Sequence, residues 1–178
     1  YSMAIIKPNN NTISAITALP AAISTGKVLQ VSTVNYAGDV NTTSTSYVQV
    51  DSNFEVSLTP SATSSKILIM MGNGNAYINS NREMKIQMYR KIGSGSLTAM
   101  TGNDVEGTSS DIGYVMRAIS GSGQMQIPHS FNLLDSPNTT SAVTYSPYFR
   151  SNNGDAVYFS TPDGNPWLIS LTIMEIGA

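Results

Sequence analysis

Residues 167–176 read Trp167-Leu-Ile-Ser-Leu-Thr-Ile-Met-Glu-Ile176, and their alternation decides the fold. In an extended chain Trp167, Ile169, Leu171 and Ile173 fall on one face. Leu168, Thr172, Met174 and Ile176 fall mostly on the other. A strand that is apolar on both faces is usually central, with protein packed against each side. The chain is therefore expected to close its core with this segment. Glu175 reads as pointing away from that core, as a rim charge or in a salt bridge with Arg90, Arg117 or Arg150.

Working back from this strand, shorter β-patterns alternate with turn chemistry. Pro162-Asp-Gly-Asn-Pro166 is a turn, and Val157 to Ser160 a short strand before it. Val143 to Arg150 alternates with Val143, Tyr145 and Phe149 inward. Gln124 to Leu134 is a strand pattern broken by Pro128, which marks a bulge or a sheet edge. Ile112 to Ile119 and Leu97 to Met100 are further strands, separated by the polar loop Thr101 to Asp111. Glu83 to Ile92 has a period of two, with Met84, Ile86 and Met88 inward. Lys66 to Met71 is a buried strand that extends to Ile78 through Gly72 and Gly74, and those glycines predict a bulge. Phe54, Val56 and Leu58 alternate with polar neighbours. Tyr47 to Val50 and Val28 to Val34 are strands on either side of a Thr/Ser-rich loop, Asn41 to Ser46. The methionines at 70, 71, 84, 88 and 174 sit on strand positions and read mostly as core filler.

These are about ten short strands with turns between them. The chain is expected to be all-β: an antiparallel β-sandwich, jelly-roll-like, over residues 28–178, with a short N-terminal arm over 1–27. The arm holds Ile5, Ile6, Ile13, Ile16, Leu19 and Ile23, which are costly to leave in water. They are the candidates for oligomerisation or anchoring. Met3-Ala-Ile-Ile-Lys-Pro8 reads as a natural start.

Composition narrows the function classes. Of 178 residues, 40% are hydrophobic and only 11% charged, against roughly 25% charged in ordinary domains. The polar surface must come from Ser, Thr, Asn and Gly. A net charge of −2 and the lack of a basic cluster disfavour nucleic-acid binding. No apolar run reaches the roughly 18 residues of a membrane helix. No basic region followed by an apolar core marks a secretory leader. There is no cysteine, so neither disulfides nor thiolate metal sites are available.

No catalytic set is evident. The single histidine, His129, sits inside a strand pattern without a nucleophile motif, and reads as a packed or edge residue. Asp104, Glu106 and Asp111 share a loop but lack calcium-loop spacing. The expectation is a non-enzyme with no cofactor and no metal. Sugar binding is the softer candidate. It needs an aromatic platform beside amides and carboxylates. Trp167, Tyr114, Tyr145, Tyr148 and Tyr158 are the candidates for the first; Asn152, Asn153, Asp155, Asp163 and Asn165 in neighbouring turns supply the second.

Several segments occur in a familiar order. Gly26-Lys-Val-Leu-Gln-Val31 is followed by Thr42-Thr-Ser-Thr-Ser-Tyr-Val48, Val56-Ser-Leu-Thr-Pro60 and Ser64-Ser-Lys-Ile-Leu-Ile69. Leu133-Leu-Asp-Ser-Pro137, Thr144-Tyr145, Tyr148-Phe-Arg150 and the terminal Leu171-Thr-Ile-Met-Glu-Ile176 complete it. From Gly26 onward the chain resembles a virion surface module of tailed phages, of the marine and cyanophage type, found at tail fibre or tailspike tips. The resemblance implies a structural virion protein, a homotrimer that contacts other virion proteins and a host-surface glycan. The alternative is a capsid decoration or head fibre protein, or a non-catalytic carbohydrate-binding module.

Overall fold

The computed structural model describes residues 27–79, 82–101, 113–117, 124–160 and 167–177, with only the backbone described at 113–117 and 124. The arm residues Ile5, Ile6, Ile13, Ile16, Leu19 and Ile23 lie outside these ranges, as do Asp104, Glu106, Asp111, Asp163 and Asn165.

The described residues form strands β1 (Val28–Tyr36), β2 (Asn41–Thr42), β3 (Val48–Gln49), β4 (Val56–Leu58), β5 (Lys66–Asn79) and β6 (Glu83–Ile92). They continue with β7 (Thr98–Ala99), β8 (Gly113–Arg117), β9 (Gln124–Asp135), β10 (Val143–Ser151), β11 (Val157–Tyr158) and β12 (Ile169–Ile176). One sheet runs β1-β12-β5-β9, with β11 and β2 continuing beside β5 where β12 stops. The other runs from β3 and β4 through β10 and β6 to β7 and β8. Every pairing is antiparallel. If β3 with β4, and β7 with β8, are taken as single interrupted strands, the order is that of a jelly roll. The all-β sandwich expected from the sequence is thus the fold.

The two sheets meet through the alternate, apolar positions of their strands. Ile169, Leu171 and Ile173 of β12 are buried, opposite Ile86, Tyr145 and Phe149 from the other sheet. Phe159 anchors the aromatic part, with ring centroids 5.5 Å from Phe149 and 6.4 Å from Phe54. Burying one such side chain is worth roughly 1.5–3 kcal/mol, so β12 holds the sandwich closed.

Several expectations need correction. β12 begins at Ile169 rather than Trp167, and Trp167 is exposed before the strand starts. Asn41 and Thr42 are not loop but the short strand β2, held against β11. Met70 and Met174 lie on the outer face and do not belong to the core, unlike Met71, Met84 and Met88. Glu175 points inward, because it shares the parity of Ile173. Its side chain is fully buried, and among the described residues no arginine pairs with it. Its carboxylate instead accepts from the Ser61 backbone N–H at 2.7 Å, the Ser61 hydroxyl at 2.6 Å and the Gln30 amide at 2.6 Å. Burial raises its pKa, but the hydrogen bonds from Ser61 and Gln30 outweigh that and hold it at about 2. The residue ties β1, β12 and the turn after β4 together.

The glycine bulge is present. The β5–β9 register shifts between Met71 and Gly74, and Asn73 takes a left-handed φ of 62°, which asparagine tolerates. Pro128 sits on β9, the edge of its sheet, opposite Asn75. Gly74 lies opposite His129, whose ring packs where a side chain would be: a Cβ at Gly74 would lie 1.8 Å from His129 Cε1. The imidazole is pinned on its other side by Phe159, 5.2 Å between centroids. Gly74→Ala is therefore expected to lose about 2 kcal/mol through overpacking. A urea midpoint equal to that of the parent would contradict this contact.

Candidate functional site

The turn after β10 brings Asn153 and Asp155 together. Asn153 donates from its amide to Asp155 Oδ2 at 2.9 Å and accepts from the Ser151 hydroxyl at 3.3 Å. Arg82 closes the group, with Nε 3.5 Å from Asp155 Oδ2 and a 3.1 Å hydrogen bond to the Ala156 carbonyl. Gly154, at φ 85°, makes the turn possible. Tyr158 lies on the next strand, edge-on to Tyr77 at 5.4 Å. Trp167 is exposed, and among the described residues no ring contact or hydrogen bond joins it to this group.

Of the other aromatic candidates, Tyr145 is fully buried and Tyr114 is described only in its backbone, whereas Tyr148 belongs to a second group whose other members the sequence does not mark. It lies on the outer face of the β10 sheet. Register places Ser146 beside Tyr89, Tyr148 beside Gln87 and Gln49, and Arg150 beside Lys85. All of these point away from the core, because Tyr145 and Phe149 point into it. Tyr89 and Tyr148 stack at 3.7 Å with planes 16° apart, and Tyr47 lies 6.4 Å from Tyr89. The Arg150 guanidinium sits over Tyr47 at 5.2 Å, a favourable cation–π distance. Gln49 donates to Glu55 at 2.7 Å and to the Ser146 hydroxyl at 3.1 Å. Lys91 Nζ is 3.8 Å from Glu55.

The electrostatics keep the phenols neutral. Burial, then Tyr148 and Tyr47, raise the pKa of Tyr89. Burial, then the Glu55 charge, raise that of Tyr148. The face thus presents half-buried aromatic rings, hydroxyls, an amide, a carboxylate and a guanidinium within one patch. Such a set holds a ligand that has both apolar faces and many hydroxyls. Its sequence signal is the alternation within each strand. What joins Tyr47, Tyr89 and Tyr148 is the cross-strand register.

His129 lies elsewhere, buried in the sandwich, and neither ring nitrogen has a hydrogen-bond partner among the described residues. Among the described residues no group of three or more His, Cys, Asp or Glu side chains is placed to hold a metal ion.

No family model matches this chain, and no curated protein is similar to it. Among solved structures it is similar to a chain in the structure of infectious bursal disease virus, Gt strain, at 13% identity and a TM-score of 0.29. The match covers 84% of this chain and 38% of the viral one. A likeness that loose is too weak to carry function.

Proposed function

We propose that this chain is a non-catalytic structural module of a virion, displayed as a homotrimer on a tail or capsid surface, that attaches to host-surface glycan. The resemblance to tailed-phage surface modules supports the virion setting. The observation that carries glycan attachment is the Tyr47–Tyr89–Tyr148 cluster, with Gln49, Glu55 and Arg150 at its rim. A pyranose has an apolar face for an aromatic edge or ring and hydroxyls for the amide, carboxylate and guanidinium. Three copies would combine weak single sites through effective concentration.

The test is a glycan array followed by solution titration of any hit. Tyr148→Ala should weaken per-site affinity at least tenfold, about 1.4 kcal/mol, with an unchanged circular dichroism spectrum. Asp155→Ala separates the two candidate groups. If it abolishes binding and Tyr148→Ala does not, the site is the turn after β10 with Tyr158. An array with no hit would remove glycan attachment altogether.

A further inference from the structure

The tyrosine face is unevenly charged. At one end Glu55 is matched, with Lys91 Nζ 3.8 Å away and the Gln49 amide donating to it at 2.7 Å. The other end is cationic. Arg150 stands opposite Lys85 on the paired strand, and like charges placed directly opposite destabilise a sheet unless something relieves them. The Lys85 ammonium has Glu83 at 3.7 Å. Register then sets Arg117 of β8 opposite Glu83. Asp155, in the turn that follows β10, is taken by Arg82 at 3.5 Å. Among the described residues, therefore, three cationic positions share Glu83, and no carboxylate pairs with Arg150. The chain as a whole carries a net charge of −2, so this local excess runs against the overall charge.

Arg150 is also held in place. It donates to the Thr45 carbonyl at 3.2 Å, and its guanidinium lies 5.2 Å from the centre of the Tyr47 ring. A guanidinium has five N–H donors in a rigid fork, so donors remain for a ligand. A side chain fixed in this way loses little freedom when it takes up an oxyanion. Tyr148 and Arg150 are alternate residues of β10, about 6.8 Å apart along the same face. A sugar resting on Tyr148 can thus bring one of its ring substituents to Arg150.

We infer that the tyrosine face prefers acidic sugars, and that Arg150 determines this by receiving the carboxylate or sulfate group of the sugar that rests on Tyr148. The inference rests on the glycan reading above and narrows it to one class of ligand. A carboxylate meets a guanidinium through two parallel N–H···O bonds, and a sulfate offers a similar pair of oxygens. Either anion also relieves the repulsion between Arg150 and Lys85, which a neutral sugar leaves in place.

The test is an array of the full chain against neutral glycans and matched acidic pairs: polygalacturonate with its methyl ester, and a sulfated galactan with its desulfated form. Titration at low and high salt follows. The expected result is at least tenfold tighter binding of the acidic member of one pair, with the advantage shrinking as salt screens it. Which pair shows it tells carboxylate from sulfate. Arg150→Gln should bring the acidic member down to its neutral counterpart. Lys66→Gln, which removes one positive charge from the other sheet, should keep the advantage. Tyr148→Ala should weaken both members by the same factor. Hits confined to neutral glycans, or equal binding within each pair, overturn the inference and leave glycan attachment standing. A preference that survives in Arg150→Gln, or disappears equally in Lys66→Gln, also overturns it. An array with no hit removes the glycan reading and this one with it. If Arg150→Gln loses its circular dichroism spectrum, Arg150→Met replaces it under the same criteria.

Discussion

Asp135→Ala is expected to lower the unfolding free energy by about 3–5 kcal/mol, the range for removing one partner of a buried ion pair. The Asp135 side chain is fully buried at the end of β9. One carboxylate oxygen pairs with the Arg90 guanidinium at 2.7 Å, and the other accepts from the Tyr145 hydroxyl at 2.6 Å. Arg90 is on β6 and Tyr145 on β10, so a residue of one sheet is fastened to two strands of the other. Removing the carboxylate leaves a largely buried guanidinium and phenol without this acceptor, in an environment of low dielectric. A domain of this length loses roughly 2–4 °C in Tm per kcal/mol, so the melting temperature should fall by about 10 °C. Tyr145→Phe removes only one hydrogen bond and should lose about 1–3 kcal/mol. Urea unfolding of the two variants checks the order. An Asp135→Ala protein within 1 kcal/mol of the parent would show that the inter-sheet pair contributes nothing.

The second large effect is a loss of stability in mild acid. His129 is buried between Gly74 and Phe159, and desolvation lowers its pKa from 6.5 to about 4. The unfolded chain takes up the proton first as pH falls, so the unfolded state gains. The neutral ring therefore contributes full stability above about pH 6.5, and the contribution is lost as pH falls towards 4. The loss is about 2 kcal/mol at pH 5 and about 3 kcal/mol at pH 4, at 1.36 kcal/mol per pKa unit. As the chain has a single histidine, the window belongs to one side chain. Glu175, held at about 2 against 4.5 in the unfolded chain, begins to lose its own contribution only below about pH 5, so the comparison of pH 7.5 with pH 5 isolates the imidazole. Urea midpoints at pH 7.5 and pH 5 should differ in the parent and coincide in His129→Phe. Equal midpoints in the parent would mean that the imidazole reaches water in the native state.

Within-strand parity was legible in the sequence; cross-strand register was not. Parity correctly sent Met84, Ile86, Met88, Tyr145 and Phe149 inward, because the two-residue period of a strand is fixed by backbone geometry. The Gly72–Gly74 irregularity was readable for a similar local reason. Glu175 was misplaced because residue type was allowed to override parity: a carboxylate on a core position is tolerated when Ser61 and Gln30 supply donors from distant segments. The same limit hid Asp135, whose partners lie on β6 and β10. It also hid the tyrosine cluster, since nothing local says that Tyr89 and Tyr148 come to rest on diagonal positions of paired strands. Met70 and Met174 were ambiguous for another reason. A central strand covered on both sides and one with an uncovered outer face have the same two-faced apolar pattern, and only the arrangement of the second layer tells them apart.

The pairing of β1 with β12 has a consequence for how such a module is joined to other proteins. Val28 is opposite Ile176, and the Gly177 amide donates to the Lys27 carbonyl at 2.8 Å. Entry and exit of the domain are thus neighbouring points on one end of the sandwich, about 5 Å apart. A unit with adjoining ends can be spliced into a surface loop of another protein without prising that loop apart, or strung on a stalk by one end alone. In both arrangements its far end and both broad faces stay clear of the attachment point.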